Sequence, residues 1–342
     1  MNGYERIRTI LKGKKPDKVP LMLHSFMPAA AEAGFTMEEY RNNAQNMAQA
    51  HIKFARKYDL DGILLDVDTA VLAGAIGAKI DFPIDTPARI VGPAASNIEK
   101  LIEIMSPEKL YQNDRIKVIL EAVEIMKQEV GGEILIRGNC DPMAFSLATM
   151  CYGMEDFLVD LLDEELEEGI LTLISRALQV HLEYQHMMVK AGADITSFGD
   201  SLCGPDVVSP AVFRKFSLPF HHKLKKELNV LGVDTVCHIC GNLNQILRDV
   251  ADIGYAGVEM DYKTDISQAA EIMKGKTIVF GPIDPSGIFC FGNPDSMREE
   301  VLRVLNCFNG EGIVLGAGCA IPKEASEENI RSFVETARGY SI

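Results

Sequence analysis

The chain has 342 residues, 47% of them hydrophobic and 24% charged, which reads as a soluble globular protein with room for a large core in one large α/β domain or two ordinary ones. Its formal net charge of -15 argues against a nucleic-acid partner. The densest basic cluster, Lys223, Lys225 and Lys226, reads as a solvated helix face.

Short apolar, β-rich runs alternate with longer amphipathic segments. The first strand is predicted over Val19–His24, and a helix follows over Asn43–Tyr58, where Met47, Ala50, His51, Phe54 and Ala55 share a face. The second strand is Gly62–Asp68. An excursion broken by Pro83, Pro87 and Pro93 leads to a helix near Arg115–Glu129. The third strand, Glu133–Asn139, precedes helical stretches near Met154–Leu162 and Leu166–Ala191. The fourth, Asp194–Asp200, precedes a helix opened by Pro210 and running to about Leu228. The fifth strand is Val233–Cys240, with Asn242 expected to cap a helix to Ala251. The sixth, Ala256–Asp261, is followed by a helix near Ile266–Met273, and the seventh, Thr277–Pro282, by a helix over Pro294–Phe308. The eighth is Gly312–Gly316, and Ser326 caps a last helix over Glu327–Arg338. Eight alternations imply a parallel sheet with helical crossovers. At this length they favour a single (β/α)8 barrel spanning 1–342, with an N-terminal extension and inserted helices. An open doubly wound sheet is the alternative, and the first strand lacks the G-x-G-x-x-G turn of a dinucleotide-binding fold.

No apolar run is long enough to span a bilayer, so no membrane association is expected. The N-terminus lacks a charged-then-apolar signal segment, and a cytoplasmic location is expected. Eight scattered cysteines suit a reducing compartment. Cys140, Cys151, Cys203, Cys237, Cys290 and Cys307 are expected to be structural.

Two cysteines stand apart. His238 and Cys240 end the fifth strand two residues apart, so they point to the same side. Cys319 follows the eighth strand. One imidazole and two thiolates suit Zn²⁺ and leave one position open for chemistry. The His-x-Cys pair alone would equally fit a half-buried strand with a core Cys and a hydrogen-bonded His. The metal reading draws on the barrel, whose active sites lie where the strands end. The other strand ends bring His24, Asp66, Asp68, Arg137, Asn139, Asp200, Glu259, Asp261 and Asp284 to the same mouth. Asp200 and Asp261 are the candidate catalytic carboxylates. His24, Asp68, Arg137 and Asn139 are the candidate substrate contacts. The fourth metal position falls to Asp261, Glu259 or water. A carboxylate there that departs as substrate arrives would keep the site open.

Several stretches resemble the uroporphyrinogen decarboxylase superfamily: Lys15-Pro-Asp-Lys-Val-Pro20 before the first strand, Ala75 to Pro83 after the second, and Phe198-Gly-Asp-Ser201 with Ser209-Pro210 and Phe213 to Phe220 around the fourth. The resemblance implies the (β/α)8 barrel. The decarboxylases carry an Arg-Gln-Ala-Gly-Arg stretch after the first strand. Here His24-Ser-Phe-Met-Pro-Ala-Ala30 stands in that place, without an arginine to grip a many-carboxylate substrate. The chain instead resembles the corrinoid-linked methyltransferase branch, including methylcobamide:coenzyme M methyltransferases, which carry His-x-Cys after strand 5 and Cys after strand 8. That resemblance implies Zn²⁺ on His238, Cys240 and Cys319, a corrinoid methyl carrier presented by a small partner protein, and a small-molecule methyl donor or acceptor. A thiol such as coenzyme M is the expected substrate, and a cation at the mouth, Arg137, would suit its sulfonate, while an ion pair between Arg137 and a mouth Asp is equally open. The same residues leave open transfer in the other direction, from a methyl ether or methylamine to cob(I)amide. A uroporphyrinogen decarboxylase-like lyase and a non-catalytic corrinoid-binding protein also remain open.

Overall fold

The structure, a computed structural model, describes residues 1–342. Eight strands form one parallel sheet in chain order: β1 Met22–Leu23, β2 Gly62–Leu65, β3 Leu135–Asn139, β4 Ile195–Gly199, β5 Thr235–Ile239, β6 Gly257–Met260, β7 Ile278–Ile283 and β8 Ile313–Ala317. The sheet closes through Leu21, which bridges Leu315 of β8 in parallel, so the fold is the expected (β/α)8 barrel. The strands are runs of Val, Ile and Leu because both faces are covered: helices lie outside and side chains fill the inside.

The inside is built in storeys. Met22, Leu64, Leu135, Ile195, Val236, Phe280 and Val314 form one apolar cluster with Ile7 and Ile10. Those two residues come from the helix Gly3–Leu11, which plugs the barrel floor. Because side chains alternate along a strand, the residue two positions on points the same way. Over the apolar floor this places His24, Asp66, Arg137, Ser197, His238 and Glu259. One step higher come Asp68, Asn139, Cys240 and Asp261. The strand-to-helix connections carry the insertions, and these crowd the mouth: the helices Phe26–Glu32 and Met37–Arg41 after β1, the helix Val71–Ile76 and the antiparallel hairpin Lys79–Asp81/Arg89–Gly92 after β2, and the helices Ala144–Tyr152 and Met154–Asp160 after β3. No helix is long and apolar enough to cross a membrane.

Several boundaries differ from the sequence expectation, each for a local reason. β1 is two residues long, since Pro20 has no N–H to give the ladder. β2 stops at Leu65 because Asp66 and Asp68 accept from the amides of Val67 (2.8 Å) and Ala70 (2.9 Å) and turn the chain. Asn242 is no helix cap: its side chain accepts from Asn244 N at 3.0 Å within a loop, and the helix runs from Leu247 to Ile253. The helix opened by Pro210 passes through a π-helical turn, Phe213–Ser217, before continuing to Leu231. Of the expected structural cysteines, Cys140, Cys151, Cys203 and Cys237 are buried, and Cys290 and Cys307 are partly exposed.

One carboxylate ties the barrel seam to both chain ends. Asp61, just before β2, accepts from Leu21 N at 2.7 Å, from Arg338 Nη1 at 2.9 Å and from Arg6 Nη1. Arg338 lies in the last helix, Glu327–Gly339, and also donates to Val19 O at 3.0 Å. Removing the carboxylate leaves two largely buried guanidiniums facing each other. We expect Asp61→Ala to cost about 3 kcal/mol or more in urea unfolding, while metal binding at the far end of the barrel is retained.

Candidate metal centre at the barrel mouth

His238 and Cys240 sit at the end of β5, and their strand parity brings His238 Nε2 to 2.9 Å from Cys240 Sγ. Cys319, two residues beyond β8, puts its sulfur 3.6 Å from that of Cys240. The three ligand atoms all lie within 4.8 Å of one another. Strands β6 and β7 lie between β5 and β8, so Cys319 has to reach over β7 to the end of β6. Glycine makes the crossing possible. A Cβ on Gly318 would lie 2.7 Å from Met260 O and 2.9 Å from Tyr262 N, at the end of β6. Gly281, at φ +93°, lets β7 pass beneath: its Cβ would lie 2.9 Å from Met260 O and 3.2 Å from the Cα of Gly318.

The backbone sets the His238 tautomer. Its Nδ1 donates to Glu259 O at 3.0 Å, leaving Nε2 to face the sulfurs. Without a metal the three ligands hold one another by charge. The Cys319 thiol donates to Cys240, and this bond with the His238 charge draws the Cys240 thiol well below its ordinary value. Burial opposes a charge on His238, yet the Cys240 thiolate more than offsets it and holds the ring as imidazolium. Cys319, sharing its proton with Cys240 and buried, is pushed up.

Below the ligands lies a layer of paired charges. Glu259 forms an ion pair with Arg137 Nη1 at 2.6 Å and lies 3.4 Å from His24 Nδ1 and 3.9 Å from His238 Nδ1. His24 Nε2 lies 2.7 Å from Asp66. Asp66 also accepts from Asn139 Nδ2 at 2.9 Å, and Asn139 Oδ1 accepts from Ser197 at 3.1 Å. Burial opposes a charge on His24, but Asp66 and Glu259 raise its pKa to about 9. Burial likewise works against an ionised Glu259, and Arg137 and His24 nevertheless hold it well below the usual carboxylate range.

The expected site residues fall into three groups. His238, Cys240 and Cys319 converge. His24, Arg137 and Asn139 join the charged layer beneath them, with Arg137 committed to Glu259. The others do different work. Asp200, expected to take part in the chemistry, is fully buried: it accepts from Ser146 N at 2.8 Å and Ser217 Oγ at 3.0 Å, with His221 Nε2 at 3.2 Å, and so pins two outer helices to β4. Asp261, one of the candidates for the fourth position, accepts from Gly241 N at 2.9 Å and Lys263 N at 3.0 Å and shapes the loops after β5 and β6. No carboxylate belongs to the group that His238, Cys240 and Cys319 form. Asp68 pairs with Arg115. Sequence reasoning missed Asp141, which accepts from Gly199 N and is pushed up to about 6 by burial and the Asp66 charge. Only its place two residues after Asn139 pointed to it.

A parallel barrel with one imidazole and two thiols gathered at its mouth is an architecture that could hold a metal ion where barrel enzymes do their chemistry. The uroporphyrinogen decarboxylase (URO-D) family model matches residues 2–340, and the chain belongs to that family. Among its relatives is the methylcobamide:CoM methyltransferase MtaA of Methanosarcina barkeri, 28% identical, with 98% of this chain and 97% of the relative covered. MtbA of Methanosarcina acetivorans, also a methylcobamide:CoM methyltransferase, is 30% identical over 71% of this chain and 70% of its own length. A uroporphyrinogen decarboxylase of Pseudoalteromonas translucida is 26% identical over 93% of this chain and 90% of its own. The solved structure of a methyltransferase from Methanosarcina mazei superposes with a TM-score of 0.87 at 26% identity, covering 98% of both chains.

Two predictions test this electrostatic arrangement. Zinc binding at neutral pH should release about two protons, one from the His238 imidazolium and one from the Cys319 thiol, since Cys240 is already a thiolate. Calorimetry in buffers of different ionisation enthalpy counts them, and the ultraviolet thiolate absorbance of the metal-free protein, lost in Cys240→Ala, separates this ion pair from a neutral thiol–imidazole pair, which would release the same two; absence of that absorbance would mean that Cys240 is a thiol. The second concerns His24, whose folded pKa of about 9 exceeds its ordinary 6.5. Its pairing with Asp66 and Glu259 therefore contributes fully below pH 6.5 and is lost as pH rises through 9. The stability gap between wild type and His24→Gln should be on the order of 3 kcal/mol near pH 6 and shrink steadily toward pH 10. A gap that widens with pH would contradict the imidazolium.

Proposed function

We propose that this chain is a zinc-dependent methyltransferase that moves a methyl group from a methylcobamide, carried by a separate corrinoid protein, to a small thiol such as coenzyme M. The observation that carries the reading is the convergence of His238, Cys240 and Cys319 from β5 and β8 on one point of the mouth. Its relatives among the methylcobamide:CoM methyltransferases support a corrinoid-dependent reaction. The donor set is soft and three-fold, and His238 is already oriented by Glu259 O; both features fit Zn²⁺ with one position free.

Zinc bound by these residues would lower the pKa of an incoming thiol and keep it as a reactive thiolate near neutral pH. In the transfer, the thiol sulfur forms a bond to the methyl carbon while the cobalt–carbon bond breaks. The electron pair stays on cobalt, giving cob(I)amide, and the thiol proton leaves. The protein's part is placement. His238, Cys240 and Cys319 fix where the sulfur sits, and the charged layer holds His238. The ring of inserted helices shapes a mouth to which a corrinoid-bearing partner can dock. The cysteines are mouth residues, not part of the apolar floor, so their loss should spare the fold.

The test is metal content by mass spectrometry alongside methyl transfer from free methylcobalamin to 2-mercaptoethanesulfonate, followed by the cobalamin spectrum. Wild type should carry about one zinc per chain and turn over. Cys240→Ala and Cys319→Ala should keep the wild-type circular dichroism while losing most of the zinc and the transfer. A chain that takes up no zinc after reconstitution, or a Cys319→Ala variant with full occupancy, would sink the reading.

A further inference from the structure

A second site lies at the end of β2, apart from the three metal ligands. Three arginines are buried: Arg6, Arg41 and Arg137. Arg6 pairs with Asp17 and Asp61, and Arg137 with Glu259. Arg41 forms no ion pair. It ends the helix Met37–Arg41, is 2% exposed, and spends its donors on carbonyls: Nε on Met37 O at 3.0 Å and Nη2 on Pro83 O and on Thr86 O at 3.3 Å. Its Nη1 is buried with no partner at all. Arg115, from the first turn of the helix Asp114–Val130, comes to the same place. One of its Nη atoms pairs with Asp68, and its buried Nε is also unpartnered. Both guanidiniums lie against the ring of Phe82, at 5.9 Å for Arg41 and 4.9 Å for Arg115. Phe82 follows the first strand of the hairpin and is 47% exposed.

Two guanidiniums therefore meet under a half-exposed aromatic ring, and only Arg115 has a carboxylate partner, Asp68. One positive charge is uncompensated, and two N–H-bearing atoms lack acceptors. Unsatisfied buried donors of charged groups are costly, and guanidinium forks are matched to oxyanions. We propose that Arg41 and Arg115, beneath Phe82 and beside Asp68, bind a small oxyanion such as a sulfonate, phosphate or carboxylate. Asp68 follows β2 at its C-terminal end, so the site lies at the same end of the barrel as His238, Cys240 and Cys319. Resting on the function proposed above, the ligand is the anionic tail of the methyl acceptor. A free inorganic oxyanion is the other source of the same chemistry. Arg137, the cation expected from the sequence, is neutralised by Glu259.

Calorimetric titration of the full chain with ethanesulfonate and with sulfate reads binding without turnover, so its result stands apart from whether methyl transfer occurs. Both anions should bind wild type. Arg115→Gln should weaken them by on the order of tenfold or more, while Asp68→Asn, which removes the competing carboxylate, should tighten them. The opposite signs distinguish a site from damage to the fold. If neither anion binds wild type, or if Asp68→Asn weakens binding as Arg115→Gln does, the site is overturned. In turnover, a rise in KM for 2-mercaptoethanesulfonate but not for uncharged 2-mercaptoethanol in Arg115→Gln identifies the acceptor's tail. Equal KM values alongside Arg115-dependent sulfate binding keep the oxyanion site and overturn the tail as its ligand.

Discussion

Glu259 is the residue on which the mouth depends. It lies inside the barrel, almost without solvent, and only the cations around it make its charge tolerable: Arg137 at 2.6 Å and His24 at 3.4 Å. Its backbone oxygen orients His238, the one nitrogen donor of the candidate metal group. A single residue of β6 thus joins the charged layer to the candidate metal ligands through both its side chain and its main chain. The layer is balanced: Glu259 and Asp66 on one side, Arg137 and protonated His24 on the other. Removing one partner leaves the others as buried unpaired charges, which makes the arrangement unique as well as rigid.

That layer exists because of strand periodicity. The inward-facing positions of β1 to β5 read Met22 then His24, Leu64 then Asp66, Leu135 then Arg137, Ile195 then Ser197, and Val236 then His238. The apolar members pack against the N-terminal helix and close the floor. The polar members two steps on stand above them, where the barrel opens. Fold and site share one pattern, because the parity that buries Val236 in the floor also aims His238 at the mouth.

The same pattern explains what the sequence made legible. Strand parity and the apolar runs were enough to read the eight units, the closed barrel and the pairing of His238 with Cys240. That Cys319 converges on them depends on closure, and on Gly318 and Gly281 allowing backbones to meet at the end of β6, which no local pattern announces. The two carboxylates read from strand ends as catalytic lie outside the group formed by His238, Cys240 and Cys319 for a common reason. Asp at a strand end is equally suited to accepting amide hydrogens, and Asp200 and Asp261 do that, from Ser146, Gly241 and Lys263. Arg41 and Arg115 were out of reach because they come from helices far from the strand ends in sequence and meet only through the hairpin that carries Phe82.

The two storeys divide electrostatic labour in a way that bears on the proposed chemistry. Because Arg137 and His24 cancel Glu259 and Asp66, the lower layer presents little net field to whatever sits above it. The charge on a divalent ion held by His238, Cys240 and Cys319 would then be matched by two thiolates alone. A third thiolate entering the open position would carry the excess negative charge, and no nearby cation in the layer would draw it down. Excess charge left on sulfur is what a nucleophile toward a methyl carbon requires. A free Arg137, one of the two arrangements the sequence left open, would have steadied an anionic substrate but also damped its reactivity. Pairing it with Glu259 leaves recognition of an anionic tail to a cation placed elsewhere, and at the end of β2 Arg41 and Arg115 have charge to spare.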